Sequence, residues 1–165
     1  MSYARLPSSP FAPNKAPVLP VLPAKTELRT QFAALCYRQS KGQTEVLLIT
    51  SRKSGKWILP KGWPMKGHVP ARVAAQEAWE EAGVKGTPID HCLGLYSYRK
   101  TTAQGVILPC IALIYPVQVN CLKKLWPETG QRRRKWFAPK KAARKVRSRE
   151  LARVLQDFDP TRLLG

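Results

Sequence analysis

The sequence predicts an α/β protein in which a mixed β-sheet is covered by helices. Its 165 residues suit one compact domain with its own core and are too few for two comfortable ones. Apolar runs typical of strands are interleaved with patterns typical of helices. A hydrophobic content of 44% with five tryptophans indicates a folded globular protein rather than a disordered chain.

The first 26 residues are expected to form a proline-rich arm, followed by one domain over residues 27–165. Six prolines lie between Pro7 and Pro23, which is typical of an extended linker or surface strip, with a recognition motif as the alternative. The same prolines interrupt any signal-peptide core, and no apolar run approaches the roughly 20 residues that span a bilayer. We therefore expect a soluble, cytoplasmic protein with no membrane partner.

The strand pattern runs through most of the remaining chain. Two predicted strands are joined by the polar turn QSKGQ, and their sequences are QFAALCYR and TEVLLITS. A short third strand, KWILP, must stop at Pro60 because proline cannot donate to a ladder. Two longer strands flank a turn at 103–105, and RKWFA adds a short one; the longer pair are HCLGLYSYRKT and GVILPCIALIYPVQV.

Helices are predicted in two places. Pro70 suits the first position of a helix, where its missing N–H would be unpaired anyway, and Gly83 suits a left-handed cap at the other end. The spacing therefore predicts a helix over 70–82, preceded by a loop over 61–69. A C-terminal helix or helix pair is expected from about residue 139 to residue 158.

The charge of the chain is strongly positive. Lysine and arginine number 29 against 10 acidic residues, giving a formal net charge of +19. The resulting field attracts polyanions such as nucleic acid, polyphosphates or anionic lipid, and does not choose among them.

The four cysteines show neither a CxxC pair nor a spacing typical of zinc sites. We interpret Cys36, Cys92, Cys110 and Cys121 as reduced thiols in the core.

Three acidic residues stand out because they share one face of the predicted 70–82 helix. At about 100° per residue, Glu77, Glu80 and Glu81 lie together. The opposite side carries small residues and one tryptophan that would pack on the sheet: Ala71, Ala75, Ala78, Ala82 and Trp79. Like charges at this spacing are unfavourable, and a divalent cation would compensate them. Mg²⁺ and Mn²⁺ prefer such oxygen ligands, although a solvated acidic patch remains an alternative.

The segment GWPMKGHVPARVAAQEAWEEAGV, residues 62–84, resembles the Nudix box, whose pattern is GX5EX7REUXEEXGU with U aliphatic. Seven of the nine specified positions fit: Gly62, Glu77, Ala78, Glu80, Glu81, Gly83 and Val84. The departures are His68 in place of the first Glu and Gln76 in place of Arg. The resemblance implies a Nudix-type α/β/α sandwich that hydrolyses a phosphoanhydride by water attack at phosphorus.

The resemblance also implies roles for individual residues. Glu77, Glu80 and Glu81 would bind Mg²⁺ or Mn²⁺, with the Lys61 carbonyl as an addition, and Glu77 and Glu81 would serve catalysis. Glu77 would alternatively orient the attacking water. Glu128, in the segment WPETG, is our candidate general base, with a plain turn residue as the alternative.

A second stretch, SRKSGKWILPKGWPMKG, resembles the diphosphoinositol polyphosphate phosphohydrolase-like bacterial branch of Nudix enzymes. With the downstream segments YSYRK and WPETGQRRRKWFAPKKAA, the resemblance covers about residues 30–157. It implies a small-molecule polyphosphate substrate. Basic residues flanking the box are expected to hold its phosphates: Arg52, Lys53, Lys56, Lys61, Lys66 and Arg99, with Lys100 beside them.

Two other functions remain open at this stage. An RNA-binding or RNA 5′-end-processing protein is suggested by the basic segments 132–135 and 140–149, with Trp136 and Phe137 as stacking surfaces or, alternatively, as buried residues. A catalytically weakened Nudix sensor is suggested by His68 and Gln76. The sequence does not indicate an oligomeric state.

Overall fold

The computed structural model describes residues 28–163, and this part of the chain contains eight strands, three α-helices and a final 3-10 helix. The arm predicted for residues 1–26 lies outside the described residues. The strands are β1 (Arg29–Ser40), β2 (Gln43–Thr50), β3 (Trp57–Ile58), β4 (Lys61–Gly62), β5 (Val84–Pro88), β6 (Gly94–Thr101), β7 (Ile107–Leu122) and β8 (Arg134–Phe137). The helices are α1 (Pro70–Ala82), α2 (Pro139–Lys145), α3 (Arg149–Gln156) and the 3-10 helix (Pro160–Leu163).

All eight strands of the described residues belong to one sheet, and the mixed type of this sheet is the one that the sequence predicts. The main path is β3-β2-β1-β7-β5, with β4 paired to β1, β6 to β7 and β8 to β2. The pair β1 and β7 is parallel and forms the centre, while the other pairs are antiparallel. Strand β1 is buried from position 33 to position 37, which fits its continuous apolar run.

Helix α1 packs closely on one face of the sheet. Ala71, Ala74, Ala78 and Ala82 are buried against apolar residues of β1, β2 and β7. The predicted ends of this helix are confirmed: Pro70 begins it, and Gly83 caps it at φ 69°. The Arg134 guanidinium also donates to the Ala82 carbonyl at 2.7 Å, so β8 ties down the helix end that carries the acidic residues.

Helices α2 and α3 cover the other face, where the core contains larger side chains. Leu35, Leu48, Tyr96 and Phe137 pack there with Leu155 and Phe158. The predicted α/β/α sandwich is therefore confirmed. The C-terminal segment forms a pair of helices, because the chain turns at Ser148, whose hydroxyl accepts the Leu151 N–H at 3.1 Å and begins α3.

Two short strands differ from the sequence prediction. The loop expected over 61–69 begins with β4, whose residues pair with Phe32 and Ala33 of β1. The segment directly after Gly83 continues as β5 along the edge of β7. Both pairings depend on distant partner strands, which a local apolar pattern does not reveal.

All four cysteines are free, but only two of them lie in the core. Cys36 and Cys110 are buried, as predicted, whereas Cys92 and Cys121 are exposed. The prediction of a core position was wrong for these two, because Cys92 precedes β6 in a loop and Cys121 lies near the end of the long strand β7. Among residues 28–163, no helix is both long and apolar enough to cross a bilayer.

Candidate active site

Glu77 and Glu81 project from the buried side of α1. They are 9% and 8% exposed, so the alternative of a solvated acidic patch does not hold for these two residues. Their neighbours one turn away, Val73 and Ala74, are also buried. Trp79, expected against the sheet, is half-buried, and the Lys85 ammonium lies 3.9 Å from its ring centroid.

The position of the Glu77 carboxylate depends on Gly62 in β4, which has no side chain. A Cβ atom added to Gly62 would overlap the Glu77 carboxylate, so the carboxylate rests directly on the β4 backbone. Burial, followed by repulsion from Glu81, Glu80 and Glu128, raises the pKa of Glu77 to about 7. At neutral pH this carboxyl is therefore close to the point where it loses its proton, and a nearby cation would favour the ionised form.

Glu81 lies between the Lys61 backbone and a guanidinium. It accepts the Lys61 N–H at 3.2 Å, and Arg132 Nη2 is 3.6 Å from its other carboxylate oxygen. Burial raises the pKa of Glu81, while Arg132 and Lys61 oppose that rise. Burial also lowers the pKa of the Lys61 ammonium, and Glu81 opposes that change.

Glu128 reaches the same end of α1 from a loop. Its backbone N–H donates to the Glu80 carbonyl at 3.1 Å. Its carboxylate is 3.3 Å from Arg52 and 3.4 Å from Arg132. Arg132 therefore bridges Glu81 and Glu128, although the sequence placed it only in a basic run considered for RNA. The role of Glu128 as a general base stays a prediction.

The acidic groups provide the oxygen ligands that divalent cations prefer, but they are not arranged as a complete set of metal ligands. Glu80 accepts a hydrogen bond from the Gln76 side-chain amide at 2.9 Å, which orients its carboxylate. Within the described residues, no three His, Cys, Asp or Glu side chains are grouped so that they could hold a metal together. The carboxylates of Glu77, Glu80 and Glu81 are nevertheless hard oxygen donors whose mutual repulsion a cation would relieve.

A basic cavity of about 540 Å³ lies beside Glu81. Five of the six predicted phosphate-binding residues line it, together with Lys100: Arg52, Lys53, Lys56, Lys61 and Arg99. Lys66 is exposed in the loop after β4 and does not line this cavity, so its role in phosphate binding stays a prediction. His68 is exposed in the same loop, with its ring nitrogen Nδ1 3.1 Å from the Lys66 carbonyl.

Several cavity residues were not predicted from the sequence to belong to this site. They are Gln31 on β1, Tyr96 and Tyr98 on β6, Arg132, and the pair Arg147 and Ser148 before α3. The alternation of the two tyrosines in YSYRK could have indicated a shared role, since it puts both on one face of a strand. Gln31 could have been recognised as the polar member of an otherwise apolar alternating set in β1.

The aromatic residues proposed for RNA contact do not form an open stacking surface. Phe137 is buried in the core below α2, as the alternative interpretation predicted. Trp136 is half-buried, and the Arg38 guanidinium lies 4.1 Å from its ring centroid. The basic segments 132–135 and 140–149 thus lack the interleaved exposed aromatics that the RNA interpretation required.

The fold and site define a class: an α/β/α sandwich with an acidic helix at the edge of a basic cavity. A NUDIX domain model matches residues 28–158, which include the whole site. The chain belongs to the NUDIX domain family, and the resemblance seen in the sequence is confirmed. The assignment to a bacterial branch stays a prediction.

Curated relatives support this assignment. Nudix hydrolase 21, chloroplastic, from Arabidopsis thaliana is 33% identical over 127 residues, covering 74% of this chain and 62% of that protein. Diphosphoinositol polyphosphate phosphohydrolase 2 from Rattus norvegicus is 31% identical over 112 residues, covering 66% of this chain and 58% of that protein. The match thus spans less than two thirds of the length of these relatives.

Solved structures confirm the fold. An Ap4A hydrolase from C. elegans has a TM-score of 0.58 at 19% identity, with 84% of this chain and 100% of that chain covered. A MutT protein from Methanosarcina mazei Go1 has a TM-score of 0.60 at 23% identity, with 84% and 97% covered. At these identities the likeness concerns the fold alone.

Proposed function

We propose that the chain is a pyrophosphohydrolase that cleaves a phosphoanhydride bond of a polyphosphorylated small molecule with Mg²⁺ or Mn²⁺. The observation that carries the proposal is the position of Glu81. This acid lines a cavity whose other charged residues are basic, and its carboxylate lies between the Lys61 N–H and Arg132. An acid at the inner wall of a phosphate-attracting cavity is suited to share a cation with the substrate.

The acidic and basic residues of the site would have different roles. Glu77, Glu80 and Glu81 would hold the cation, with the Lys61 carbonyl as a further oxygen. When bound, such a cation neutralises phosphate oxygens and stabilises charge on the leaving group. Arg52 and the cavity lysines bind the phosphate chain through charge-assisted hydrogen bonds.

Water attack at phosphorus requires a group that orients the water and a group that accepts its proton. Glu77 is suited to the first task, because Gly62 fixes its carboxylate against β4. Glu128 is our candidate for the second task, held in place by Arg52 and Arg132. Because Arg132 contacts both Glu81 and Glu128, it is expected to position the two acids relative to each other.

The preferred substrates follow from the positive charge of the cavity and the chain. We rank diadenosine polyphosphates first, then diphosphoinositol polyphosphates, inorganic polyphosphate, ADP-ribose and nucleoside triphosphates, because high positive charge favours long anionic chains. The name of a diphosphoinositol polyphosphate phosphohydrolase of related sequence supports the second. A cytoplasmic location stays a prediction.

The decisive experiment is phosphate or nucleotide release across these five substrate classes, with Mg²⁺ or Mn²⁺ and with a chelator. We expect Glu81→Gln to lower kcat/KM by roughly 100-fold or more, because it removes an ionised cation ligand while keeping its shape. Glu45→Gln is the matched control, since Glu45 pairs with Arg38 away from the cavity.

Equal activity of Glu81→Gln and the wild type would contradict the assigned site. Metal-dependent binding without turnover of any compound would instead favour the sensor interpretation. Tight, strongly salt-dependent RNA binding without hydrolysis would favour the RNA-binding interpretation.

A further inference from the structure

The inner end of the cavity contains an uncharged polar side chain that the proposed hydrolysis does not use. Gln31 is 1% exposed and lines the cavity. Its side-chain oxygen Oε1 has no hydrogen-bond partner among the described residues. A buried amide oxygen without a donor is unfavourable, and such groups in native proteins usually have a function or a missing partner.

Strand pairing explains why Gln31 reaches this end of the cavity. It lies on the same face of β1 as Ala33, Leu35 and Tyr37, which all pack in the core under α2 and α3. Across the sheet, Gln31 pairs with Ala112 of β7, and Ala112 pairs with Tyr96 of β6. Only one small residue therefore separates the amide from Tyr96.

Two tyrosines line the cavity with the amide, and the Lys61 ammonium lies 5.0 Å from the Tyr98 ring centroid. Tyr96 and Tyr98 occupy alternate positions of β6, with ring centroids 5.8 Å apart, and both line the cavity with Leu151. Aromatic faces suit a planar, weakly hydrated ring, which can stack on them. The basic side chains Lys53, Lys56 and Arg99 are exposed and line the outer part.

The unpartnered atom restricts the ligand further. An amide oxygen accepts hydrogen bonds, and phosphate oxygens at neutral pH accept as well, so a phosphate cannot satisfy it. An N–H group on a planar ring can. Glutamine is also a residue that pairs with the amino edge of adenine in nucleic-acid complexes, which shows that the geometry is accessible.

We propose that Gln31 accepts a hydrogen bond from the exocyclic amine of a nucleobase and so selects amino-bearing nucleoside polyphosphates in this cavity. The inference rests on the proposed function, since the phosphate chain of the same molecule would extend toward Glu81. It makes Gln31 a specificity-determining residue, which would favour nucleotides over inositol polyphosphates.

The test uses two pairs of nucleotides that differ by a single amine. ATP is compared with purine riboside triphosphate, and GTP with inosine triphosphate, on the full chain with Mg²⁺ or Mn²⁺. For the wild type we expect kcat/KM to favour the amine-bearing member of at least one pair by roughly tenfold, mainly through KM. In Gln31→Met, which keeps the side-chain length without the amide, this ratio should fall to about one.

Gln43→Met is the matched control, because Gln43 is an exposed glutamine at the start of β2, outside the cavity; it should keep the wild-type ratio. No preference within either pair for the wild type, or an unchanged ratio in Gln31→Met, overturns the proposal. The wild-type comparison can overturn the proposal even where Gln31→Met fails to fold, because no preference within either pair leaves nothing for Gln31 to select. If none of these four nucleotides is hydrolysed, calorimetric binding of the same pairs tests the role of Gln31 by the ratio of affinities within each pair. The proposed function itself fails only if all five substrate classes resist hydrolysis.

Discussion

The acidic and basic sides of the candidate site are built in different ways. The acids Glu77 and Glu81 are buried and fixed by backbone contacts, one against Gly62 and the other on the Lys61 N–H. The basic residues Lys53 and Lys56 are exposed on the loop after β2. Position therefore matters most on the acidic side, where small displacements are costly, and total charge matters most on the basic side.

Gly62→Ala is the substitution that disturbs the positions of the acidic residues most directly. The new methyl group would take the place of the Glu77 carboxylate, and a displacement of this size costs roughly 100-fold in turnover. The backbone of Gly62 has no positive φ angle, so the substitution adds no backbone strain. We expect kcat to fall by about that factor while the melting temperature changes little. Activity within threefold of the wild type would show that the Glu77 position is not critical.

Glu77→Gln tests the acidic side through the pH dependence of protein stability. Because the pKa of Glu77 is raised to about 7 in the folded protein, the folded state keeps this proton between pH 4.5 and 7 while the unfolded state releases it. Wild-type stability therefore falls as pH rises through this window, and Glu77→Gln escapes that loss.

We expect the two proteins to melt alike at pH 4 and the variant to melt roughly 3–5 °C higher at pH 8, measured with a chelator. This corresponds to about 1–2 kcal/mol, discounted for residual solvent contact of the carboxyl. A lower melting temperature for Glu77→Gln at pH 8 would contradict the raised pKa.

Lys56→Ala and Lys66→Ala test the contribution of charge on the basic side, and their expected effects are the smallest. Lys56 lines the cavity and Lys66 does not. We expect Lys56→Ala to raise KM about threefold to tenfold, with a weaker salt dependence, because it removes one phosphate contact from a screened surface. Lys66→Ala should change KM less than about twofold. Equal effects would mean that only the overall charge matters, whereas no effect of either would remove Lys56 from the binding surface.

Much of the fold could be predicted because local chemistry determines it. Pro70 and Gly83 mark the ends of α1 by their backbone preferences alone, and the apolar alternation of β1 and β2 needs no knowledge of distant residues. The strands β4 and β5 were missed for the opposite reason. Their sequences, Lys61–Gly62 and Val84–Pro88, carry little strand preference, and only pairing with β1 and β7 makes them strands.

The site shows the same limit. The helix wheel correctly grouped Glu77 with Glu81, but their burial beside a cavity depends on the tertiary structure and could not be predicted from the wheel. Lys66 was assigned from nearness in sequence to the Nudix box, and the turn after β4 leaves it exposed, off the cavity wall. Arg132 and Glu128 approach Glu81 from a loop nearly fifty residues downstream, so their bridge required the tertiary structure.

The parallel pairing of β1 with β7 has a consequence for how the molecule folds. These strands are joined along nine residues from Arg29↔Cys110 to Tyr37↔Gln118, across a long intervening segment that contains α1 and β4. Closing so large a loop before its contacts form is slow, and β-rich pairings of high sequence separation set the pace of folding. A ribosome-bound chain that ends before residue 107 would already contain every glutamate of the box and still lack the strand that completes the sheet beneath them.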